Sequence, residues 1–363
     1  MSRYVSNLIT QFAKIADQDK FEVLAHESAN NEYTAGVDGD RVTSLDVSEW
    51  LSNPLLNVAW HQISLPGICR SRGYDALFLP AASRRIPIWL PCPTIGTVHD
   101  LSPFHVAGKY DRARNIYQTR VLPLLFKRLT HIVAISESTK RDLQEFAGIP
   151  DERISVIHHA ADTGFFYPRD RENALTSVRK YGVRSPYVVY TSRIESPSKN
   201  HIRLIRAFEQ LKQREAIPHQ LVLAGSDWHG AEEVKNTAAS SPYSQDICLT
   251  GFVDGKDLPS LYCGADMMVF PSLFEGFGLP ILEAMACGVP VACSDISSMP
   301  EIAGDAAVLF DPLEVESIAD GMLAILGSAE NSKALADRGR ERASEFSWEK
   351  TARMTLDVIY NVI

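Results

Sequence analysis

Two glutamates and two cations carry the chemistry this chain offers. In PSLFEGFGLPILEAMACGVPVACSD (271–295), Glu275 and Glu283 are the only charged residues before Asp295; the rest is apolar, small, Gly or Pro. The run ADMMVFPS (265–272) suits a buried parallel strand, EGFG a flexible loop, and ILEAMAC a short helix. Pro280 suits the first helical position, Gly288 and Pro290 stop the helix, and VPVACSD reads as the next strand. Glu275 then falls in the loop and Glu283 in the first helical turn, both at a strand's carboxyl end. Free N–H groups at a helix start favour phosphate. Carboxylates beside them can accept hydrogen bonds from hydroxyls, so the pattern suits a sugar nucleotide. The alternative is plain: Glu275 caps the helix and Glu283 is a half-exposed surface residue.

Arg193 and Lys199 stand six apart in SRIESPSKN, directly after the apolar run YVVYTS. Two cations at a strand end can neutralise a leaving diphosphate, Arg as a planar fork and Lys as a point charge. The alternative is a solvated loop with ordinary surface charges. His99 and Asp100 end TIGTVHD, where a histidine can bond a ligand or move a proton, or serve structure through Asp100 or the backbone. His158 and His159 end ISVIHH and read as structural residues at a lobe junction.

Other chemistries lack their motifs. Asp17-Gln18-Asp19 and Asp38-Gly39-Asp40 follow no apolar run and read as turns, and no histidines cluster at metal-ligand spacing, so no metal site is expected. G-x-S-x-G, the P-loop pattern and G-x-G-x-x-G are all absent.

The elements that must position these groups alternate strand and helix. Strand runs in the first half are FEVLAH, DALFLP, TIGTVHD, HIVAIS and ISVIHH, with helical patterns at 109–129 and 138–147. In the second half they are YVVYTS, QLVLAG, DICLTG, MMVFPS, VPVACS and AAVLF, with a helix at 201–213. This is an α/β chain of parallel sheets covered by helices, in two Rossmann-like lobes whose strand ends face a central cleft. The polar stretch 162–185 reads as the boundary, and FSWEKTARMTLDVIYNVI as a last helix capped by Ser347 that packs on the second lobe or crosses to the first. The chain opens on an amphipathic helix, YVSNLITQFAKIA, where an α/β lobe usually opens with a strand and a ligand-facing loop.

With 363 residues, two domains are expected, and 45% hydrophobic content can fill their cores. A net charge of −9 argues against a nucleic-acid partner. Six cysteines form no C-x-x-C pair and read as core thiols of a reducing compartment. With no apolar run of membrane-spanning length and no signal-peptide pattern, the cytoplasm is the expected location. The segment 109–128 (KYDRARNIYQTRVLPLLFKR) holds six basic residues against one acid. It suits peripheral contact with an anionic membrane face or a lipid diphosphate, or simply a solvated helix face; Pro123 weakens a continuous helix there.

Taken together, E-x7-E from Glu275 to Glu283, Arg193, Lys199 and TVHD resemble the family 4 retaining glycosyltransferases of GT-B fold. SRYVSNL, TVHDLSPF, AISESTKRDL, KNHIRLIRAF, LTGFV and FSWEKTA extend the resemblance along nearly the whole chain. It implies a first, acceptor-binding domain (1–165), a second, nucleotide-sugar-binding domain (166–345) and a crossing helix (346–363). It implies that Arg193 and Lys199 hold the donor diphosphate and that Glu275 with Gly276, Phe277, Gly278 and Leu279 contacts the sugar and phosphate. Glu283 would take the ribose hydroxyls, and His99 would sit near the donor sugar, so that His99, Glu275, Arg193 and Lys199 form the catalytic set. No metal or cofactor is implied beyond a GDP- or UDP-linked sugar substrate. The acceptor would be a saccharide or lipid-linked saccharide of surface polysaccharide assembly, and KNH with SPF leans toward mannose. Two departures stand out: the family's first strand and Gly-rich loop have no counterpart, and Ser192 replaces a common Gly. A shortened first lobe leaves a second hypothesis, a non-catalytic nucleotide-sugar-binding partner subunit; a nucleotide-sugar epimerase is disfavoured by the Arg193, Lys199 and E-x7-E set.

Overall fold

The computed structural model describes residues 2–34, 37, 40–82, 85–106 and 112–363. Asp38 and Gly39 of the second D-x-D and Lys109 of the basic segment lie outside these residues. The chain divides into two compact units, one of Met1–Phe104, Tyr110–His159 and Ser347–Ile363, the other of His105–Lys109 and Ala160–Phe346.

The first unit has two parallel sheets. One pairs β1 (Phe21–Ala25) with β2 (Val42–Asp46), and the other runs β3 (Leu77–Leu79), β4 (Thr94–Val98), β5 (His131–Ala134), β6 (Ile154–Val156) in that order. The strand β2 goes beyond the sequence reading. Its residues VTSLD alternate without a continuous apolar run, and only Val42 is buried. The helix Pro54–Arg72 was equally hidden, because Pro66 interrupts its pattern. Leu65, Ile86, Leu122, Phe126, Leu129 and Ile132 share one core there.

The opening helix, Ser2–Ile15, buries Tyr4, Leu8, Ile9 and Phe12. Against it packs the final helix, Trp348–Tyr360, which therefore belongs to the first unit. Ser347 caps that helix, its hydroxyl accepting from the Lys350 amide at 3.1 Å. In the basic segment, Pro123 has no N–H to donate to the preceding turn. The backbone answers with a π turn at Tyr117–Val121 before Leu122–Phe126.

The second unit carries one six-stranded parallel sheet, ordered β12 (Ala307–Phe310), β11 (Val291–Ser294), β10 (Met267–Phe270), β7 (Tyr187–Thr191), β8 (Gln220–Ala224), β9 (Ile247–Gly251). Every residue of β7, β8, β10 and β11 is buried, as expected for strands covered by helices on both faces. The stretch 162–185 is more than a linker: it holds the helix Arg171–Val178, which buries Ala174 and Val178.

Candidate active site

The central strands β7 and β10 are neighbours, so the loops leaving their carboxyl ends meet. Three ties fix the meeting. The Tyr190 hydroxyl lies 2.9 Å from the Lys199 carbonyl and 3.0 Å from Ser272 Oγ. Leu273 N donates to the Ser198 carbonyl at 2.9 Å. Asn200, held at φ 58°, donates from Nδ2 to the carbonyls of Pro271 (3.0 Å) and Pro312 (2.7 Å). The result is an ion pair between residues 76 apart in sequence: Lys199 Nζ is 2.5 Å from Glu275 Oε1, with both side chains about 15% exposed (15% and 16%).

Arg193 Nη2 lies 3.0 Å from Glu195 Oε2, and its guanidinium stacks 4.8 Å from the Trp228 ring centroid. The bend after β7 presses on the end of β8. A Cβ on Gly225 would sit 1.9 Å from the Ser192 carbonyl oxygen, so only glycine fits there.

The Glu275 loop is anchored from beneath by two serines. Ser297 Oγ donates to the Glu275 carbonyl at 2.6 Å, and Ser298 Oγ reaches the carbonyls of Glu275 and Phe277, each at 2.9 Å. Gly278, at φ 98°, turns the chain into the helix Leu279–Ala286. Pro280 therefore occupies the second helical position, not the first, and Glu283 lies in the second turn. Glu283 is 6% exposed, so it is no half-exposed surface residue. The Tyr262 hydroxyl donates to Glu283 Oε2 at 3.2 Å and lies 2.7 Å from Thr191 Oγ1, at the end of β7. Burial, more than the adjacent Glu283 charge, pushes the Tyr262 phenol far above its ordinary pKa, so it stays a donor. Arg193, Lys199, Glu275, Gly276, Phe277, Gly278, Leu279 and Glu283 thus gather around two strand ends of one unit.

His99 belongs to the other unit. Its Nε2 donates to the Pro80 carbonyl at 2.7 Å, and its ring meets Tyr4 edge-on at 5.1 Å and His159 at 5.3 Å. Asp100 accepts from Ser102 Oγ at 2.7 Å. His159 is buried against Tyr4 at 4.7 Å, and burial, then the nearby His99, holds its imidazole well below the ordinary pKa. No group of three or more His, Cys, Asp or Glu side chains among the described residues is arranged to hold a metal ion.

Comparison with known proteins shows the family and the fold. The profile of glycosyltransferase family 4 matches residues 1–165, and that of glycosyl transferases group 1 matches residues 177–342. The Escherichia coli O-antigen chain mannosyltransferase B is 31% identical over 264 residues, 72% of this chain and 69% of that protein. The chain belongs to the family 4 glycosyltransferases. A further E. coli relative, the serotype-specific mannosyltransferase WbdA, is also 31% identical, over 74% of this chain; the chain spans 33% of its length. The fold is GT-B, shared with a Rickettsia africae glycosyltransferase (TM-score 0.73, 20% identity, 99% of this chain and 94% of that one). It is shared too with Anabaena HepE solved with UDP and glucose (TM-score 0.75, 19% identity, 98% and 95%).

Glu195, Ser198, Tyr262, Ser297 and Ser298 are parts of this candidate site that the sequence did not single out. Glu195 was within reach, since an acid between Arg193 and Lys199 is an obvious partner for one of them. The others reveal themselves only through contacts that the sheet creates.

Proposed function

We propose that this glycosyltransferase moves a hexose, mannose in the first instance, from a GDP- or UDP-sugar to a saccharide or lipid-linked saccharide with retention and without a metal. The supporting observation is the convergence of Arg193, Lys199, Glu275 and buried Glu283 on the ends of β7 and β10. Mannosyl transfer in the E. coli relatives and UDP in HepE support the donor class. Breaking the sugar–phosphate bond leaves positive charge on the sugar and an extra negative charge on the diphosphate. Arg193 and Lys199 stabilise the departing anion, Glu275 orients the sugar, and Glu283 takes the ribose hydroxyls. The departing phosphate receives the acceptor's proton. The test is transfer from GDP-mannose, UDP-glucose and related donors to saccharide acceptors with EDTA present, product anomers read by NMR. The reading expects turnover in EDTA with one donor base preferred, abolished in Glu275→Ala and Lys199→Ala; full activity in both variants would overturn the site.

The acceptor side carries a membrane-facing reading. Gln62 clips 86–88 onto the helix Pro54–Arg72: its Nε2 donates to the Ile86 carbonyl (3.2 Å) and its Oε1 accepts from Ile88 N (2.8 Å). Ile63, Ile88, Trp89 and Leu124 are exposed in this unit, as are Arg112, Arg114, Arg120, Lys127 and Arg128. Exposed apolar anchors and a basic segment in one unit suit an anionic lipid surface. Sedimentation with phosphatidylglycerol but not phosphatidylcholine vesicles, weakened in Trp89→Ser/Leu124→Ser, is the expected result; no binding to either overturns it. Among the described residues no helix is long and apolar enough to cross a membrane.

A further inference from the structure

We propose that Glu195 is a specificity-determining residue of the donor site, disfavouring the free nucleoside diphosphate against the nucleoside-diphosphate sugar and so assisting product release. This rests on the donor reading above. A carboxylate beside a diphosphate-binding arginine is unexpected, because it opposes the charge that the arginine is there to attract. Here it is nonetheless built in. Glu195 is 3% exposed, and its Oε1 accepts from the buried Ser198 hydroxyl at 2.5 Å. Its backbone carbonyl accepts from His201 Nδ1 at 3.3 Å. Its Oε2 lies 3.0 Å from Arg193 Nη2, yet the approach misses hydrogen-bond geometry, so this buried oxygen has an ion pair and no hydrogen bond. Arg193 keeps its side chain 48% exposed and so can engage a ligand without leaving Glu195.

A phosphate on the outer side of Arg193 then sits roughly 6–8 Å from a fixed, buried negative charge, given ordinary guanidinium–phosphate contact lengths. At that range charge count matters. In transfer the sugar C1–O(phosphate) bond breaks and its electron pair stays with the phosphate. C1 bonds to the acceptor oxygen, and the acceptor's proton passes to the phosphate and then to water. The diphosphate diester of the donor carries two negative charges. The released terminal phosphate, with a second pKa of about 6, adds a third at neutral pH. Glu195 acts on that added charge and leaves the donor less affected. Lys199 is paired with Glu275 and Arg193 with Glu195 in the free protein, so these two pairs add no net charge to the cradle.

The test is calorimetric binding of a nucleoside diphosphate and of its sugar derivative, using the base that the wild type prefers. In the wild type the diphosphate is expected to bind at most about threefold tighter than the sugar nucleotide. Glu195→Gln keeps the shape and an acceptor for Ser198 but removes the charge. It is expected to tighten diphosphate binding roughly tenfold and sugar-nucleotide binding by only about three- to fivefold. A wild type that prefers the diphosphate by tenfold or more overturns the inference without any variant. Equal weakening of both ligands in Glu195→Gln, the result of a purely structural role, also overturns it. Absence of any nucleotide binding to the wild type overturns the donor reading itself, and this inference with it.

Discussion

Lys199 and Glu275 form their 2.5 Å ion pair where two loops from neighbouring strands cross, each side chain largely withdrawn from water. The pair is a structural clasp and, on the proposed function, the place where donor charge is received. Removing either partner strands the other in a poorly solvated site. Lys199→Met and Glu275→Gln should each lower stability by about 1–3 kcal/mol and transfer by at least roughly a hundredfold. The double variant should lose less stability than the two single losses together, with a coupling of about 1 kcal/mol or more. Urea denaturation of the four proteins gives the cycle, and strict additivity would contradict the clasp.

Tyr262 connects Glu283 to Thr191 at the end of β7. Tyr262→Phe deletes one hydroxyl and leaves the ring's packing. Stability should fall by about 1–2 kcal/mol. On the proposed role of Glu283 at the ribose, donor KM should rise several-fold while kcat stays within about twofold. A fall in kcat at unchanged KM would place Tyr262 in the chemistry and not in donor binding.

His201 is 1% exposed beside Lys199 and Glu195. Burial pushes its imidazole down to about 3; the Glu195 carbonyl opposes that shift and the Lys199 charge adds to it. The unfolded chain, near 6.5, therefore binds a proton that the folded one refuses. Stability is complete above pH 6.5 and falls as pH drops from 6.5 toward 3. From pH 6.5 to 5 this single group should cost about 2 kcal/mol. His201→Gln should flatten the slope of unfolding free energy against pH in that interval; an unchanged slope would show that His201 is not its source.

The fold was legible where strands are continuous apolar runs, as in YVVYT and QLVLA, since burial on both faces removes any alternation. It was illegible where a strand is half solvated, as in Val42–Asp46, or where proline sits inside a helix, as in Pro54–Arg72. In the site, Arg193, Lys199, Glu275 and Glu283 stood out because charge is rare in their surroundings. Glu283 was read one position too early, in the first turn and not the second, because Leu279, not Pro280, opens its helix. Ser297 and Ser298 could not be read at all: serine is common, and only the proximity of β10 and β11 brings their hydroxyls under Glu275.

Asn200 has a consequence for loop length. One side-chain amide fastens the segment after β7 to Pro271 and to Pro312, and Lys199 is its immediate neighbour. Inserting a single residue between Thr191 and Lys199 would advance the lysine by about 3.8 Å of chain, more than the whole span of its contact with Glu275. Length here behaves as a fixed dimension. New donor preferences in this scaffold must then come by exchanging side chains at constant spacing, while grafting longer or shorter loops at this edge would dismantle the cradle before altering what it accepts.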